Sequence, residues 1–126
     1  MMQKPGNKGL TRLYYATTYS LDGFKAAWKN EEAFRMEICL CIVFMPASFV
    51  IGMTLPHQLI LFTACAVVLI AEVVNTAIES IVDRISTEQS FLSGQAKDLG
   101  SLVVFLSMMT FLVVWLPSLW TYIFKS

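Results

Sequence analysis

Two long stretches that contain no Asp, Glu, Lys or Arg constrain the fold of this chain most. They cover residues 38–71 and 99–124 and are 34 and 26 residues long. A helix that crosses a bilayer needs about 20 apolar residues, so the second stretch provides one such helix. The first is long enough for most of two, and Gly52 and Pro56 place turn signals near its middle.

The composition indicates the same class of protein. Apolar residues make up 56% of the 126 residues and charged residues only 14%, with a net charge of zero. A soluble domain of this size cannot bury so much apolar surface, and disordered chains are less hydrophobic. Domains that bind nucleic acid carry a surplus of basic residues, so we expect no nucleic acid among the partners.

We therefore predict an all-α membrane protein that forms a single domain over residues 1–126. Three transmembrane helices are expected at about 34–52, 57–84 and 97–123, after an N-terminal helix at about 8–31. In that first helix, apolar side chains recur every three or four positions on one face. This pattern is typical of an amphipathic helix that lies in the membrane interface, and a surface helix packed against its own protein is the alternative.

The basic residues predict how the chain is oriented in the membrane. Eight of the nine lie on one side of the predicted spans, in the N-terminal segment and in the loop at 84–97. The positive-inside rule places both segments in the cytoplasm. Only Lys125 lies on the opposite side.

The second transmembrane helix carries polar side chains that a passive anchor does not need. Glu72, Asn75, Glu79 and Asp83 are three, four and four positions apart, so they share one helical face. An acidic residue at the centre of a span costs about 2.5–3.5 kcal/mol, so this face must meet protein, water or ions. Acids inside a membrane are functional by default. A polar contact between helices of an oligomer is the alternative, although one Asn or Gln would suffice for it.

The charges on this face predict a metal ion. Neighbouring carboxylates repel one another unless some are protonated or a cation binds between them. Carboxylates suit Mg²⁺, which takes one or two of them together with water and substrate phosphates. Glu31, at the cytoplasmic end of the first span, lies at the level of Glu79, so we expect these two acids to hold one metal ion. Glu72 lies one to two turns deeper.

The segment at 93–101 supplies groups that suit phosphate. Lys97 is a compact cation that binds phosphate, and the predicted helix start beside it offers free backbone N–H groups. Asp98 is either an N-terminal helix cap or functional. Acidic and basic side chains around one interfacial site indicate metal-assisted phosphoryl transfer. The sequence contains neither a P-loop nor the glycine-rich kinase motif, so a nucleotide site must be built in another way.

Three segments resemble one known family. The run E-V-V-N-T-A-I-E-S-I-V-D at 72–83 is similar to the signature of the prokaryotic diacylglycerol kinases, and N-E-x-A-F-R-x-E at 30–37 and S-G-x-A-K-D-x-G-S at 93–101 extend the resemblance. The resemblance implies a homotrimer in the bacterial inner membrane. It also implies that the protein transfers the γ-phosphate of ATP, with Mg²⁺ as cofactor, to the hydroxyl of diacylglycerol and forms phosphatidate.

The same resemblance implies roles for individual residues. Glu72 matches the catalytic proton acceptor, Asn75 a polar partner that contacts substrate, and Ser101 a residue that faces the lipid. Glu31 and Glu79 match the metal-binding acids. The residues that match ATP contacts are Arg12, Tyr19, Glu31, Glu79, Glu88, Gln89, Ser90, Lys97 and Asp98, and Arg12 also matches a substrate contact. In the mechanism we expect, Glu72 is the general base and Lys97 neutralises the charge that develops during transfer.

Three alternatives remain open at this stage. Relatives of similar sequence phosphorylate undecaprenol, which is also an apolar chain that ends in a hydroxyl. A small proton-coupled transporter also keeps a membrane Glu in a short chain, but it would place the acid at mid-bilayer and would not need Lys97 or Asp98. A scaffold oligomer predicts that removing charges within 72–83 affects assembly alone.

Overall fold

The computed structural model describes residues 8–85 and 90–125, and within them the chain forms four α-helices and no strand. The helices are α1 (Leu10–Asn30), α2 (Glu32–Ile51), α3 (Leu55–Ile85) and α4 (Phe91–Phe124). The last three are long and apolar enough to cross a membrane. The predicted all-α fold, with one N-terminal helix before three transmembrane helices, is therefore confirmed.

The start of α4 differs from the prediction. The other boundaries agree within two residues, but α4 begins six residues earlier than expected. The hydroxyl of Ser90 accepts a hydrogen bond from the backbone N–H of Ser93 at 3.1 Å and so caps the helix, while Gly94 lies inside it. Lys97 and Asp98 therefore lie in the second turn. The alternative in which Asp98 caps the helix is therefore excluded, and the expectation that free N–H groups flank Lys97 is wrong.

A very short connection determines how α2 and α3 pack. Only three residues, 52–54, separate the two helices, so the helices run antiparallel as neighbours. Gly52 is buried, and a Cβ atom there would lie 2.8 Å from the backbone N of Gln58. The Gln58 side-chain amide in turn donates to the carbonyls of Gly52 and Phe49 at 3.1 and 3.2 Å. Because the turn is this tight, residues equally far from it on the two helices lie at the same level.

The helices pack around α3, which contacts both α2 and α4. Leu61 and Trp115 are almost completely buried, and the Trp115 indole N–H donates to the Leu61 carbonyl at 3.1 Å. The rings of Phe44 and Phe111 lie against this indole with centroid distances of 5.0 and 5.5 Å. Lipid removes most of the hydrophobic drive between transmembrane helices, so close packing and interhelical hydrogen bonds of this kind hold them together.

The N-terminal helix α1 is joined to the rest of the chain at one end. The backbone is extended at Glu31, which separates α1 from α2. The guanidinium of Arg35 donates to the carbonyls of Trp28 and Lys29 at 2.7 and 3.2 Å, which satisfies two carbonyls that the helix end leaves open. No residue of α1 is buried. Its apolar side chains are therefore available to a surface outside this chain, as an interfacial helix requires.

Candidate functional site

The acidic face of α3 changes from buried to exposed along the helix. Glu72 and Asn75 are 6% and 9% exposed, Glu79 is half-buried, and the Asp83 side chain is 65% exposed. Along this predicted face, burial thus decreases from Glu72 to Asp83. One end of the face lies among packed helices and the other reaches the surface, so the face connects a water-poor region with a region that a charged ligand can enter.

Glu37 of α2 lies against the deepest acid of this face. At roughly 1.5 Å per residue, Glu37 lies about 22 Å before the α2–α3 turn and Glu72 about 26 Å after it, so the two acids lie at nearly the same level. Their carboxyl groups are in hydrogen-bonding contact, and Glu37 is only 7% exposed. Ionised carboxylates only accept hydrogen bonds, so two ionised groups at this contact would repel each other.

No other donor among the described residues reaches the second oxygen of Glu37. Its Oε2 atom is buried and lacks a hydrogen-bond partner, although buried polar atoms normally have one. The pair therefore forms a small acidic centre in apolar surroundings. Sequence reasoning assigned no role to Glu37; its distance from the turn, which equals that of Glu72 within about one helical turn, is the signal that could have found it.

Glu79 is held by its neighbour on the same face. The Asn75 side-chain amide donates to Glu79 Oε1 at 3.3 Å. Glu31 and Glu79 are both half-buried and both lie within electrostatic range of Glu72. The structure thus brings the two predicted metal-binding acids to the same region, beside the Glu37–Glu72 pair.

The chemistry of these groups fits Mg²⁺. Within residues 8–85 and 90–125 there is no cluster of three or more His, Cys, Asp or Glu side chains that could hold a metal ion. Mg²⁺ needs no such cluster when it arrives with a nucleotide, because one or two carboxylates suffice once phosphates and water complete the coordination. Two half-buried carboxylates, Glu31 and Glu79, provide hard oxygen donors of this kind.

The exposed end of the face holds an ion pair. Lys97 Nζ lies 2.6 Å from Asp83 Oδ1, and the two side chains are 44% and 65% exposed. Exposed pairs of this kind exchange partners readily because solvent screens them. Lys97 is thus accessible to an anionic group that approaches from the surface. Until such a group binds, Asp83 holds the Lys97 side chain beside the acidic face.

Most of the other predicted ligand contacts lie at the surface of the single chain. Arg12, Tyr19, Asp98 and Ser101 are exposed. Ser90 serves as the cap of α4. Glu88 and Gln89 lie outside the described residues.

An apolar cleft leads away from the acid pair. It has a volume of about 250 Å³, and Glu37 lies in its wall together with side chains of α2, α3 and α4. The apolar part of this wall is formed by Leu40, Cys41, Phe44, Val68, Met108 and Phe111, among others. A carboxyl group in the wall of an otherwise apolar cleft suits a ligand with a polar end and a hydrocarbon body.

Comparisons with known proteins connect this arrangement with one family. A family model described as prokaryotic diacylglycerol kinase matches residues 18–119. A diacylglycerol kinase of Haemophilus influenzae is 43% identical over 107 residues, which are 85% of this chain and 91% of that protein. Diacylglycerol kinases of Pseudomonas aeruginosa and Escherichia coli K12 are 40% and 36% identical, over 87% and 90% of this chain and 89% and 93% of theirs. The matched residues include the whole acidic face and Lys97.

Proposed function

The chain belongs to the prokaryotic diacylglycerol kinase family, and from that premise we propose where and how it performs the reaction. It is a lipid kinase that phosphorylates diacylglycerol and forms phosphatidate. ATP is the phosphoryl donor. The observation that carries the assignment of the site is the buried Glu37–Glu72 pair at the end of the acidic face, beside the apolar cleft.

Glu72 is the general base of the proposed mechanism. The hydroxyl of diacylglycerol gives its proton to the Glu72 carboxylate as its oxygen forms a bond to the γ-phosphorus of ATP. The bond between the γ-phosphorus and the bridging oxygen breaks, and ADP leaves with that oxygen. General bases of this kind contribute about 10²- to 10⁴-fold to a rate. The burial of Glu72 beside Glu37 supports this role, because two neighbouring carboxyl groups in apolar surroundings repel each other less when they hold a proton between them.

The nucleotide occupies the more exposed part of the face. Glu31 and Glu79 are the residues that would hold Mg²⁺, which supplies charge neutralisation at the phosphates when it is bound with ATP. Asn75 keeps the Glu79 carboxylate in place through the hydrogen bond at 3.3 Å. Lys97 exchanges Asp83 for a phosphate oxygen and neutralises negative charge that develops during transfer. The contacts expected for Arg12, Tyr19, Glu88, Gln89, Ser90 and Asp98 with the nucleotide, and for Arg12, Asn75 and Ser101 with the lipid, belong to this proposal.

Diacylglycerol reaches the site from the bilayer. An acyl chain in the cleft beside Glu37 would bring the glycerol hydroxyl to the level of Glu72, since the two carboxyl groups are in contact. The N-terminus and the 84–97 segment then face the cytoplasm of a bacterium, where ATP is available, and the protein lies in the inner membrane. We include the homotrimer in this proposal, because the exposed end of the acidic face and many apolar side chains of α4 remain open in one chain.

A lipid panel tests the proposed function. Purified protein in mixed micelles receives ATP labelled at the γ-phosphorus, with diacylglycerol, undecaprenol or no lipid alcohol, and with or without a chelator of Mg²⁺. We expect label in phosphatidate, much less in undecaprenyl phosphate, and none after chelation. Preferential labelling of undecaprenol would assign the other acceptor. Absence of any labelled lipid, together with proton uptake into vesicles, would favour the transporter hypothesis instead.

A further inference from the structure

Gly100 of α4 packs directly against the acidic face. It is buried, and a Cβ atom built on it would collide with Asn75 Oδ1 and lie 3.4 Å from Asn75 Cγ. The same Cβ atom would lie 3.6 Å from Ile78 Cδ1. By contrast, a Cβ atom on Gly94, in the first turn of the same helix, would meet nothing within 4 Å. Of these two glycines, only Gly100 lies where the missing side chain lets α4 approach α3 closely.

The orientation of the Asn75 amide explains what this approach achieves. Its NH₂ group must face Glu79, because a carboxylate can accept a hydrogen bond but cannot give one. The amide oxygen then points to Gly100, where it is buried and has no conventional donor among the residues that the structure describes. A glycine Cα–H is a weak donor that tolerates such an oxygen. The space at Gly100 therefore determines the direction in which Asn75 presents its N–H to Glu79.

We infer that Gly100 is a positioning residue for metal binding: its missing side chain seats the Asn75 amide, which orients the Glu79 carboxylate. This rests on the proposed role of Glu79 as a ligand of Mg²⁺. A methyl group at position 100 would push the Asn75 amide away and so break its hydrogen bond to Glu79. Loss of a group that orients a metal ligand typically reduces metal affinity by about 10- to 100-fold.

The test measures metal binding directly, without turnover. Mn²⁺ replaces Mg²⁺, a non-hydrolysable ATP analogue is present, and free Mn²⁺ is followed by electron paramagnetic resonance in detergent-solubilised full-length protein. Gly100→Ala is expected to raise the dissociation constant for Mn²⁺ by about 10- to 100-fold. Gly94→Ala is the matched control, since it makes the same gain in helix propensity in open space. An unchanged dissociation constant in a folded Gly100→Ala protein would overturn the inference.

A double variant separates positioning from a general effect on packing. Asn75→Ala removes the amide and makes room for the methyl group, so Asn75→Ala and Asn75→Ala/Gly100→Ala should bind Mn²⁺ equally. This comparison decides the matter even where Gly100→Ala alone fails to fold. A further tenfold loss in the double variant would show that Gly100 acts on the packing of α4 in general.

Glu79→Gln, measured in the same way, distinguishes the proposed role of Glu79 as a metal ligand from the positioning role of Gly100. If Glu79→Gln binds Mn²⁺ as the wild type does, the proposed metal ligand is wrong. If Glu79→Gln loses binding while Gly100→Ala keeps it, only the role of Gly100 fails.

Discussion

Replacing Glu72 by Gln removes the proposed base while changing almost nothing else. The amide has the size of the carboxyl group and can donate to Glu37 without any added proton, so the contact between α2 and α3 stays intact. Because one of two neighbouring buried acids is replaced by a neutral group, the free energy of unfolding should stay the same or increase. The variant therefore separates chemistry from folding.

The expected loss follows from the proposed role. A general base contributes about 10²- to 10⁴-fold, which corresponds to roughly 3–5 kcal/mol in the activation free energy at about 1.36 kcal/mol per factor of ten. The lost interaction operates in the transition state, so kcat should fall by this factor while KM for ATP changes little. A loss confined to KM would instead indicate that Glu72 binds substrate.

The assay is phosphatidate formation in mixed micelles under saturating ATP, with unfolding by denaturant measured on the same preparations. Glu32→Gln is the matched control, because Glu32 is exposed at the start of α2 and its replacement should leave both quantities unchanged. Glu72→Gln with activity within fivefold of the wild type would refute the base assignment. A large loss of stability would refute our description of the carboxyl pair.

Three further changes test other parts of the structure. Trp115→Phe removes the hydrogen bond to Leu61 and should lower the free energy of unfolding by roughly 0.6–2 kcal/mol, whereas Trp120→Phe, at a residue that is 63% exposed, should have little effect in the same denaturation assay. Arg35→Met opens the two carbonyls at the end of α1, so limited proteolysis should cut near residue 30 faster than in wild type, and an unchanged rate would contradict this. Asp83→Asn frees Lys97, so KM for ATP should fall by a few-fold; a rise would show that Asp83 itself helps to bind the nucleotide.

The local features of the fold could be predicted from the sequence, because charge-free stretches and helical spacing are properties of neighbouring residues. The start of α4 could not, since Ser90 as a cap and Gly94 inside the helix compete with an equally reasonable turn at the same glycine. The cap favours the helix, because the Ser90 hydroxyl accepts a hydrogen bond from a backbone N–H of its first turn.

The candidate site was predictable to a different degree. Spacing alone places Glu72, Asn75 and Glu79 on one face, and the structure brings Glu31 to the same region. The partners of this face on other helices were not predictable, because Glu37 and Gly100 reach it only through the packing of α2 and α4 on α3. Spacing along one helix carries no information on such contacts.

Because the turn between α2 and α3 has only three residues, the number of residues on either side of it determines whether the carboxyl groups of Glu37 and Glu72 meet. One residue inserted anywhere between Gly52 and Glu72 would rotate the acid by roughly 100° and shift it by about 1.5 Å. An insertion of four residues would nearly restore the direction but displace Glu72 by about 6 Å along the axis. The length of the segment between Gly52 and Glu72 thus sets the position of the Glu72 carboxyl group. We expect activity to tolerate substitutions in this segment far better than insertions or deletions.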